Sequence, residues 1–179
     1  MAEESIRAQY VRYGAQGYYE QFGAHYRNPH ELAVRRAIHA AVAAWDLDLT
    51  HVLDLACGSG EVTLALRELG AAAIDGLDPF TGAAYQARTG QTAEGLSFEE
   101  IASGALDGRR YSLVACSYAL HLLNASRLPR LAYQLSRISE ALLVFTPHKR
   151  PELRSDWGWV LMGEMVTERV RARYYRSTL

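Results

Sequence analysis

The sequence predicts an α/β fold built on a parallel sheet, and three adjacent features favour it. Residues 52–56 are apolar apart from Asp54, which is typical of a buried parallel strand. Gly58 and Gly60 follow and indicate a tight turn. The next residues repeat apolar side chains at helical spacing: Val62, Ala65, Leu66 and Leu69. Strand, glycine turn and helix are the first half of a nucleotide-binding unit, whose helix start offers free N–H groups to a ligand.

The first 27 residues combine aromatic side chains with glycine. The aromatic residues are Tyr10, Tyr13, Tyr18, Tyr19, Phe22 and Tyr26, and the glycines are Gly14, Gly17 and Gly23. Helical segments interrupted by glycine suit a mobile cover better than a rigid core element. We therefore expect residues 1–27 to form a helical cap or lid. A helix packed permanently on the core is the alternative.

A helix is expected to begin after Asn28, which would be its N-cap. Pro29 fits the first helical position, and Glu31 would complete a capping box. The helix would pack on the sheet through one apolar stripe: Val34, Ala37, Ile38, Ala41, Val42 and Trp45. We expect residues 28–179 to form the main, ligand-binding domain, and the chain as a whole to be one compact domain.

The C-terminal third predicts one helix and a strand. Apolar residues at helical spacing indicate a helix from Arg127 to Ile138, with Ser126 as candidate cap. Residues 169–176 alternate apolar and basic side chains, which is strand periodicity. They could pair with a strand near residues 157–166, although those residues fit a helix equally well.

Bulk composition limits the function classes. A chain of 179 residues fits one domain. Its net charge of −1 argues against general electrostatic binding of nucleic acid. No apolar run approaches the ~20 residues of a membrane span, and the acidic start lacks a signal-peptide core. We expect a cytoplasmic protein in which Cys57 and Cys116 are reduced, buried thiols.

Two nucleotide-binding motifs are excluded at the glycine turn. A dinucleotide fingerprint needs a third glycine where this chain has Thr63, and a P-loop needs the absent Gly-Lys-Ser/Thr. The order acid, small or apolar residues, Gly-x-Gly instead resembles motif I of the class I S-adenosylmethionine (SAM) dependent methyltransferases. The resemblance extends to about residue 150.

The family resemblance implies both an architecture and a cofactor. It implies a doubly wound, mostly parallel sheet of seven strands with helices on both faces and an antiparallel C-terminal edge. Residues 96–102, 111–117 and 142–146 are similar to strands three, four and five of that sheet. The implied cofactor is SAM.

The same resemblance implies the residues that hold the cofactor. Asp78, in Gly-Leu-Asp-Pro, would accept hydrogen bonds from both ribose hydroxyls, in preference to Asp75 inside the strand. Glu100 would bind the adenine amino group, or be an ordinary loop carboxylate. Tyr26 and Arg27 would close over the SAM carboxylate. The complete set is Asp54, Ala56, Gly58, Gly60, Asp78, Pro79, Glu100, Ile101, Ser117, Arg27 and Tyr26.

His121 and His148 are the candidate catalytic residues. They follow strands four and five, and ligands of open α/β sheets bind at the carboxyl ends of the strands. Both should border the acceptor pocket. With His25 and His30 they could hold a metal, but no short ligand spacing supports one, so we expect none.

The expected reaction is methyl transfer to a small-molecule acceptor. Residues 117–120 are Ser-Tyr-Ala-Leu, whereas the family's nucleic-acid amino methylases carry Asn/Asp-Pro-Pro-Tyr/Phe at this point, and no Pro-Cys marks a cytosine methylase. Two alternatives stay open. The chain could be an RNA or protein methyltransferase, if its C-terminal arginines contact nucleic acid. Otherwise they are the charged, solvated side chains of an edge strand, where charge prevents pairing with another chain. These arginines are Arg169, Arg171, Arg173 and Arg176. It could also be a non-catalytic SAM-binding protein.

Overall fold

Six strands form the sheet in the computed structural model, which describes residues 6–179. The strands are β1 (His51–Leu55), β2 (Ala73–Leu77), β3 (Leu113–Ser117), β4 (Ala141–Thr146), β5 (Trp159–Thr167) and β6 (Val170–Ser177). Their order is β2-β1-β3-β4-β6-β5, with β1 to β4 parallel and the last two strands antiparallel. The expected antiparallel C-terminal edge is confirmed, and residues 157–166 are largely strand.

Helices cover both faces of this sheet. They are α1 (Ile6–Phe22), α2 (Glu31–Trp45), α3 (Glu61–Glu68), α4 (Gly82–Thr89), α5 (Phe98–Ala102) and α6 (Leu128–Ile138). Alternate strand residues face opposite ways, so α5 and α6 pack over one apolar cluster while α2 and α3 pack over another. The doubly wound α/β fold is therefore confirmed. Of the predicted cap at residues 1–27, residues 1–5 and the side chain of Tyr10 lie outside the described part of the chain.

The prediction of seven strands is wrong, because the segment 96–102 is not a strand. Ser97 caps α5: its Oγ accepts from the Glu100 amide, and the Glu100 carboxylate accepts from the Ser97 amide. This reciprocal capping box satisfies two backbone donors at the helix start, so the chain turns into a helix here. Only a single parallel bridge, Leu77 with Glu94, remains beside β2.

Two predicted helix caps are also wrong. Asn28 lies two residues too early, since His30 is the N-cap residue of α2 and the Asn28 Oδ1 accepts from the His30 amide at 2.8 Å. Ser126 hydrogen-bonds to Asn124 instead of capping α6. Both residues stabilise a turn before the helix by local side-chain to backbone bonds.

Residues 6–179 contain no helix with both the length and the apolar character needed to cross a bilayer.

Candidate functional site

A cavity of about 420 Å³ opens at the carboxyl ends of β1, β2 and β3. Its walls come from these strand ends, from residues 96–99, 117–119 and 122–124, and from α1 with the residues that follow it. Ligands of open α/β sheets bind at this edge, where the loops between strands and helices diverge. This cavity is the candidate site.

The glycine turn after β1 lets the backbone come close to the cavity. Gly58 has φ +56°, and a Cβ there would lie 3.2 Å from the Tyr26 ring and 3.3 Å from Glu61 Oε2. Gly60, with φ +88°, begins α3, and a Cβ there would be 2.4 Å from a Thr89 methyl carbon. Both positions therefore require glycine. Ala56, which also lines the cavity, has a left-handed φ of +56° without being glycine.

Asp54 ties β1 to the helix behind the turn. Its side chain is fully buried, and its Oδ2 accepts from the Thr63 amide at 3.1 Å and from Thr63 Oγ1 at 2.7 Å. Its Oδ1 has no partner among the described residues. Burial raises the pKa of Asp54 to about 7, and the charges of Glu61 and Asp78 act in the same direction.

Asp54→Asn should remove part of the pH dependence of stability. Because the folded-state pKa of Asp54 is raised, the stability that its proton contributes is complete at low pH and is lost as pH rises to about 7. We expect the wild type to lose about 2 kcal/mol relative to Asp54→Asn between about pH 5 and pH 8. Urea unfolding of both proteins across this range measures the difference. Parallel pH profiles would contradict the assignment.

Asp78 follows β2 and reaches back to the glycine turn. Its Oδ2 accepts from the Gly58 amide at 3.2 Å, and its Oδ1 accepts from the amides of Phe80 and Thr81 at 2.9 and 3.0 Å. A carboxylate has about four acceptor directions, so at least one is left for a ligand. Asp75 is bonded to His51 and Tyr111 instead and does not line the cavity.

Glu61 is a cavity residue that the sequence analysis missed. It is the first residue of α3 and only 6% exposed. Its Oε1 accepts from the Asn28 amide at 3.2 Å, from Ser59 Oγ and from Arg88. The available signal was its position directly after Gly-x-Gly, at the start of a helix whose N-terminus was expected to face the ligand.

The segment predicted to contact adenine reaches the cavity through residues that lie earlier in the chain than the two predicted. The cavity is lined by Ser97, Phe98 and Glu99. Glu100 is occupied with capping α5, and Ile101 is 1% exposed within the core. The structure therefore does not bring Glu100 or Ile101 to the cavity, and Glu99 is the carboxylate at that wall. The error has the same origin as the misassigned strand, since both assumed an extended backbone at residues 96–102.

Aromatic residues of the N-terminal segment form the cover of the cavity. The Tyr19 ring stacks on Phe80, with centroids 6.3 Å apart and planes 15° apart, and it contacts Tyr26 edge-on at 5.2 Å. A Cβ on Gly23 would lie 2.5 Å from the Phe80 carbonyl oxygen, so the cover approaches the rim closely. Gly14, with φ 72° and ψ 165°, interrupts α1.

Of the two residues predicted to close over the SAM carboxylate, Tyr26 lies at the cavity and Arg27 does not. Tyr26 lines the cavity and contacts the glycine turn. The Arg27 side chain is 63% exposed, 3.9 Å from Glu31, and does not line the cavity. Pro79 and Ser117, also predicted as cofactor residues, both line it.

The two candidate catalytic histidines lie together beyond Ser117. The rings of His121 and His148 meet edge-on with centroids 5.2 Å apart. Burial, with a further contribution from His148, lowers the pKa of His121 to about 4. Neither ring is part of the cavity wall, although Ala119 and Leu122 on either side of His121 in the chain line it. Among the residues that the structure describes, no three His, Cys, Asp or Glu side chains are placed to hold a metal.

Residues 52–140 match a family model described as a methyltransferase domain. The whole chain is also similar to the uncharacterized protein C17A5.05c of the fission yeast Schizosaccharomyces pombe. The two are 35% identical over 232 aligned positions, which cover 98% of this chain and 93% of the yeast protein.

Solved methyltransferase structures share the fold. Magnesium protoporphyrin IX methyltransferase from Synechocystis PCC 6803, with bound SAM, superposes with a TM-score of 0.63 at 16% identity, covering 99% of each chain. The N-methyltransferase NodS from Bradyrhizobium japonicum WM9, in complex with S-adenosylhomocysteine, superposes with a TM-score of 0.62 at 10% identity. That match covers 85% of this chain and 89% of NodS.

Proposed function

We propose that this chain, which belongs to the class I SAM-dependent methyltransferase family, binds SAM in the candidate cavity and transfers its methyl group to a small-molecule acceptor. The observation that carries the proposal is the convergence of Gly58 and Asp78 on that cavity, with Asp54 buried behind the glycine turn. Buried Asp54 holds the helix start, Gly58 admits the ligand, and Asp78 retains a free acceptor direction.

The residues of the cavity suit each part of SAM. Asp78 would accept from the ribose hydroxyls through charge-assisted hydrogen bonds. Phe80 and Phe98 offer apolar surface to the adenine, and Glu99 an acceptor for its amino group. Ala56 and Glu61 lie at the glycine turn, where the amino-acid part would be held. Gly58 leaves open the space that a side chain would fill.

The work of the protein in this reaction is alignment and exclusion of water. SAM, when bound, supplies a methyl group already activated by the adjacent sulfonium charge. The chain must hold the acceptor in line with that methyl, since correct orientation removes much of the barrier. The aromatic cover, in which Tyr19 stacks on Phe80 of the rim and contacts Tyr26, would keep water out.

A small acceptor fits the enclosed shape of the site. The N-terminal segment covers the cavity. The structural neighbours of this chain include methyltransferases of small molecules, such as the magnesium protoporphyrin IX methyltransferase of Synechocystis. The RNA alternative depended on the C-terminal arginines. Arg173 is buried, and Arg171 is paired with Glu164, so those two side chains do not support a nucleic-acid surface.

Methyl-labelled SAM tests the proposed acceptor class directly. The purified protein is incubated separately with small-molecule, RNA and protein fractions of a cell extract, and label transfer is measured in each. We expect transfer in the small-molecule fraction and its loss with Asp78→Ala. Label confined to RNA or protein would contradict the proposal, and SAM binding without any transfer would favour the non-catalytic alternative.

The N-terminal segment is proposed to act as a lid whose closure depends on cofactor. The segment contacts Phe80 and the glycine turn, which both lie at the cavity. Gly14 interrupts the helical backbone of α1 and could act as the hinge. Chymotrypsin should cleave the apo protein at the aromatic residues between Gly14 and Gly23, and saturating S-adenosylhomocysteine should protect them. Phe80→Ala should lose this protection. Equal resistance with and without ligand would mean that the segment is packed permanently.

A further inference from the structure

One carboxylate oxygen of Glu61 is held by the protein, and the other lies at the cavity. The Oε1 atom accepts from the Asn28 amide at 3.2 Å, from Arg88 at 3.3 Å and from Ser59 Oγ. None of the described residues donates a hydrogen bond to Oε2. This atom lies 3.3 Å from the point that a Cβ on Gly58 would occupy. Since Glu61 lines the cavity and is only 6% exposed, it offers a buried acceptor beside the glycine turn.

Arg88 determines which oxygen of Glu61 is left for a ligand. The Arg88 side chain is 15% exposed, and it also donates to the Ser59 carbonyl oxygen at 3.1 Å and to Glu31. These bonds hold its guanidinium on one side of Glu61, at Oε1. The ion pair offsets the cost of burying the Glu61 carboxylate, and Oε2 keeps its acceptor directions.

The side-chain amide of Asn28 lies beside Glu61 and supplies the opposite kind of group. Asn28 is 8% exposed, lines the cavity and is joined to Glu61 through its backbone amide. Its Oδ1 accepts from the His30 amide at 2.8 Å, which fixes the orientation of the side chain and makes Nδ2 the other end. None of the described residues accepts a hydrogen bond from Nδ2. A donor and an acceptor, both on residues less than a tenth exposed, are therefore adjacent in one wall of the cavity.

We propose that Glu61 and Asn28 together bind the amino-acid end of SAM, Glu61 at its ammonium group and Asn28 at its carboxylate. This inference rests on the proposed function and assigns two further residues of this chain to the same site. The ammonium would donate to Glu61 Oε2, and Asn28 Nδ2 would donate to the carboxylate, both through charge-assisted hydrogen bonds. Arg27, which the family resemblance implied at the carboxylate, is 63% exposed and lies outside the cavity wall.

The charges of the cavity wall favour this division of roles. Two carboxylates, Glu61 and Asp78, flank the glycine turn. Among the described residues of the wall, the one cationic side chain is Arg127, which is paired with Glu99. The wall therefore attracts the ammonium and the sulfonium of SAM. Once the ammonium is bound, the neutral amide of Asn28 is sufficient to orient the carboxylate next to it.

Three thioether ligands separate the two contacts by calorimetry. S-Adenosylhomocysteine has both charged groups, its decarboxylated analogue keeps only the ammonium, and methylthioadenosine has neither. We expect the wild type to bind S-adenosylhomocysteine about 10–100-fold more tightly than methylthioadenosine. Equal affinity for these two ligands would overturn this inference and leave the proposed function standing. Absence of binding by all three at millimolar concentration would overturn both.

Glu61→Gln tests the ammonium contact. It should weaken S-adenosylhomocysteine and the decarboxylated analogue by about 10–100-fold, because both carry the ammonium group. Methylthioadenosine should lose less than about threefold, and its binding also shows that the variant is folded. An equal loss for all three ligands would mean that Glu61 only shapes the glycine turn, and it would overturn the assignment.

Asn28→Asp tests the carboxylate contact with a change of sign. The variant keeps an oxygen for the His30 amide but replaces the donor by a negative oxygen. It should weaken S-adenosylhomocysteine by about tenfold or more, and it should bind the decarboxylated analogue at least as tightly as the wild type. Asn28→Ala removes the donor without adding charge and should show the same preference, with a loss of about 3–10-fold for S-adenosylhomocysteine. Arg27→Gln is the matched control and should change each affinity by less than about twofold. A larger loss of S-adenosylhomocysteine binding in Arg27→Gln than in either Asn28 variant would return the carboxylate to Arg27.

Discussion

Arg173→Met is expected to lower the free energy of unfolding by about 2–3 kcal/mol. The guanidinium is 1% exposed and makes hydrogen bonds on every side. It donates to Glu164 Oε2 at 2.6 Å, to the carbonyl oxygens of Pro151 and Lys149 at 2.7 and 2.6 Å, and to Glu152 at 3.2 Å. Methionine would fill similar space but leave the carbonyls of Pro151 and Lys149 and the Glu164 carboxylate without these donors.

Urea unfolding of three proteins tests this expectation. Arg176→Met changes an exposed arginine of the same strand and should alter stability by no more than about 0.5 kcal/mol. Arg173→Lys keeps the charge but cannot reproduce the planar fork, so an intermediate loss is expected. If Arg173→Met cost less than about 1 kcal/mol, the segment that carries His148 would not be held by this arginine.

Asp78→Ala is expected to weaken the binding of S-adenosylhomocysteine by about 30–150-fold, or about 2–3 kcal/mol. The variant removes the carboxylate proposed to accept from the ribose, and it frees the Gly58 amide that shapes the turn. Asp75→Ala is the matched control, because it removes a carboxylate three residues earlier that bonds to His51 and Tyr111 outside the cavity. We expect it to change affinity by less than about threefold.

Thermal unfolding of both variants must first show that they are folded. A larger loss of affinity for Asp75→Ala than for Asp78→Ala would contradict the ribose assignment. The alignment of β2 with the cofactor site would then be shifted, and the ribose-binding residue would have to be reassigned. Equal affinity of Asp78→Ala and wild type would remove Asp78 from the cofactor site.

The glycine turn and the strands beside it were predictable because their signals are local. An acid in an apolar strand, two glycines and a helical apolar pattern occur within twenty residues, and all agree with one another. Period-two alternation likewise predicted β6, whose bounds in the structure are Val170–Ser177. In both cases neighbouring residues determine the element, and distant contacts only select its partner.

The segment 96–102 could not be assigned correctly from the family resemblance. Ser97 and Glu100 form a capping box that starts a helix, and this local pairing decides the backbone conformation. Its pattern, Ser-Phe-Glu-Glu, was visible in the sequence. Reading it as a helix start would have moved the predicted acid at the cavity from Glu100 to Glu99.

The burial of Arg173 and the contact between His121 and His148 depend on segments that are distant in the sequence, so no local pattern predicts them. Alternation along β6 suggested a charged, solvated side chain at Arg173, but the segment after β4 folds over it and supplies two carbonyl acceptors. His121 and His148 were placed near the acceptor from strand order alone. Their contact, and the unpartnered atom of His121, result from how the loops after two strands pack together.

SAM binding in the cavity at the ends of β1 and β2 is the premise of the proposed function. Isothermal titration calorimetry with SAM and S-adenosylhomocysteine, on wild type and on Asp78→Ala, tests it most directly. We predict one site per chain for each ligand in the wild type, and binding weakened by about 30–150-fold in the variant. Absence of binding by both ligands at millimolar concentration would contradict the claim, and binding of NAD instead would point to a dinucleotide site.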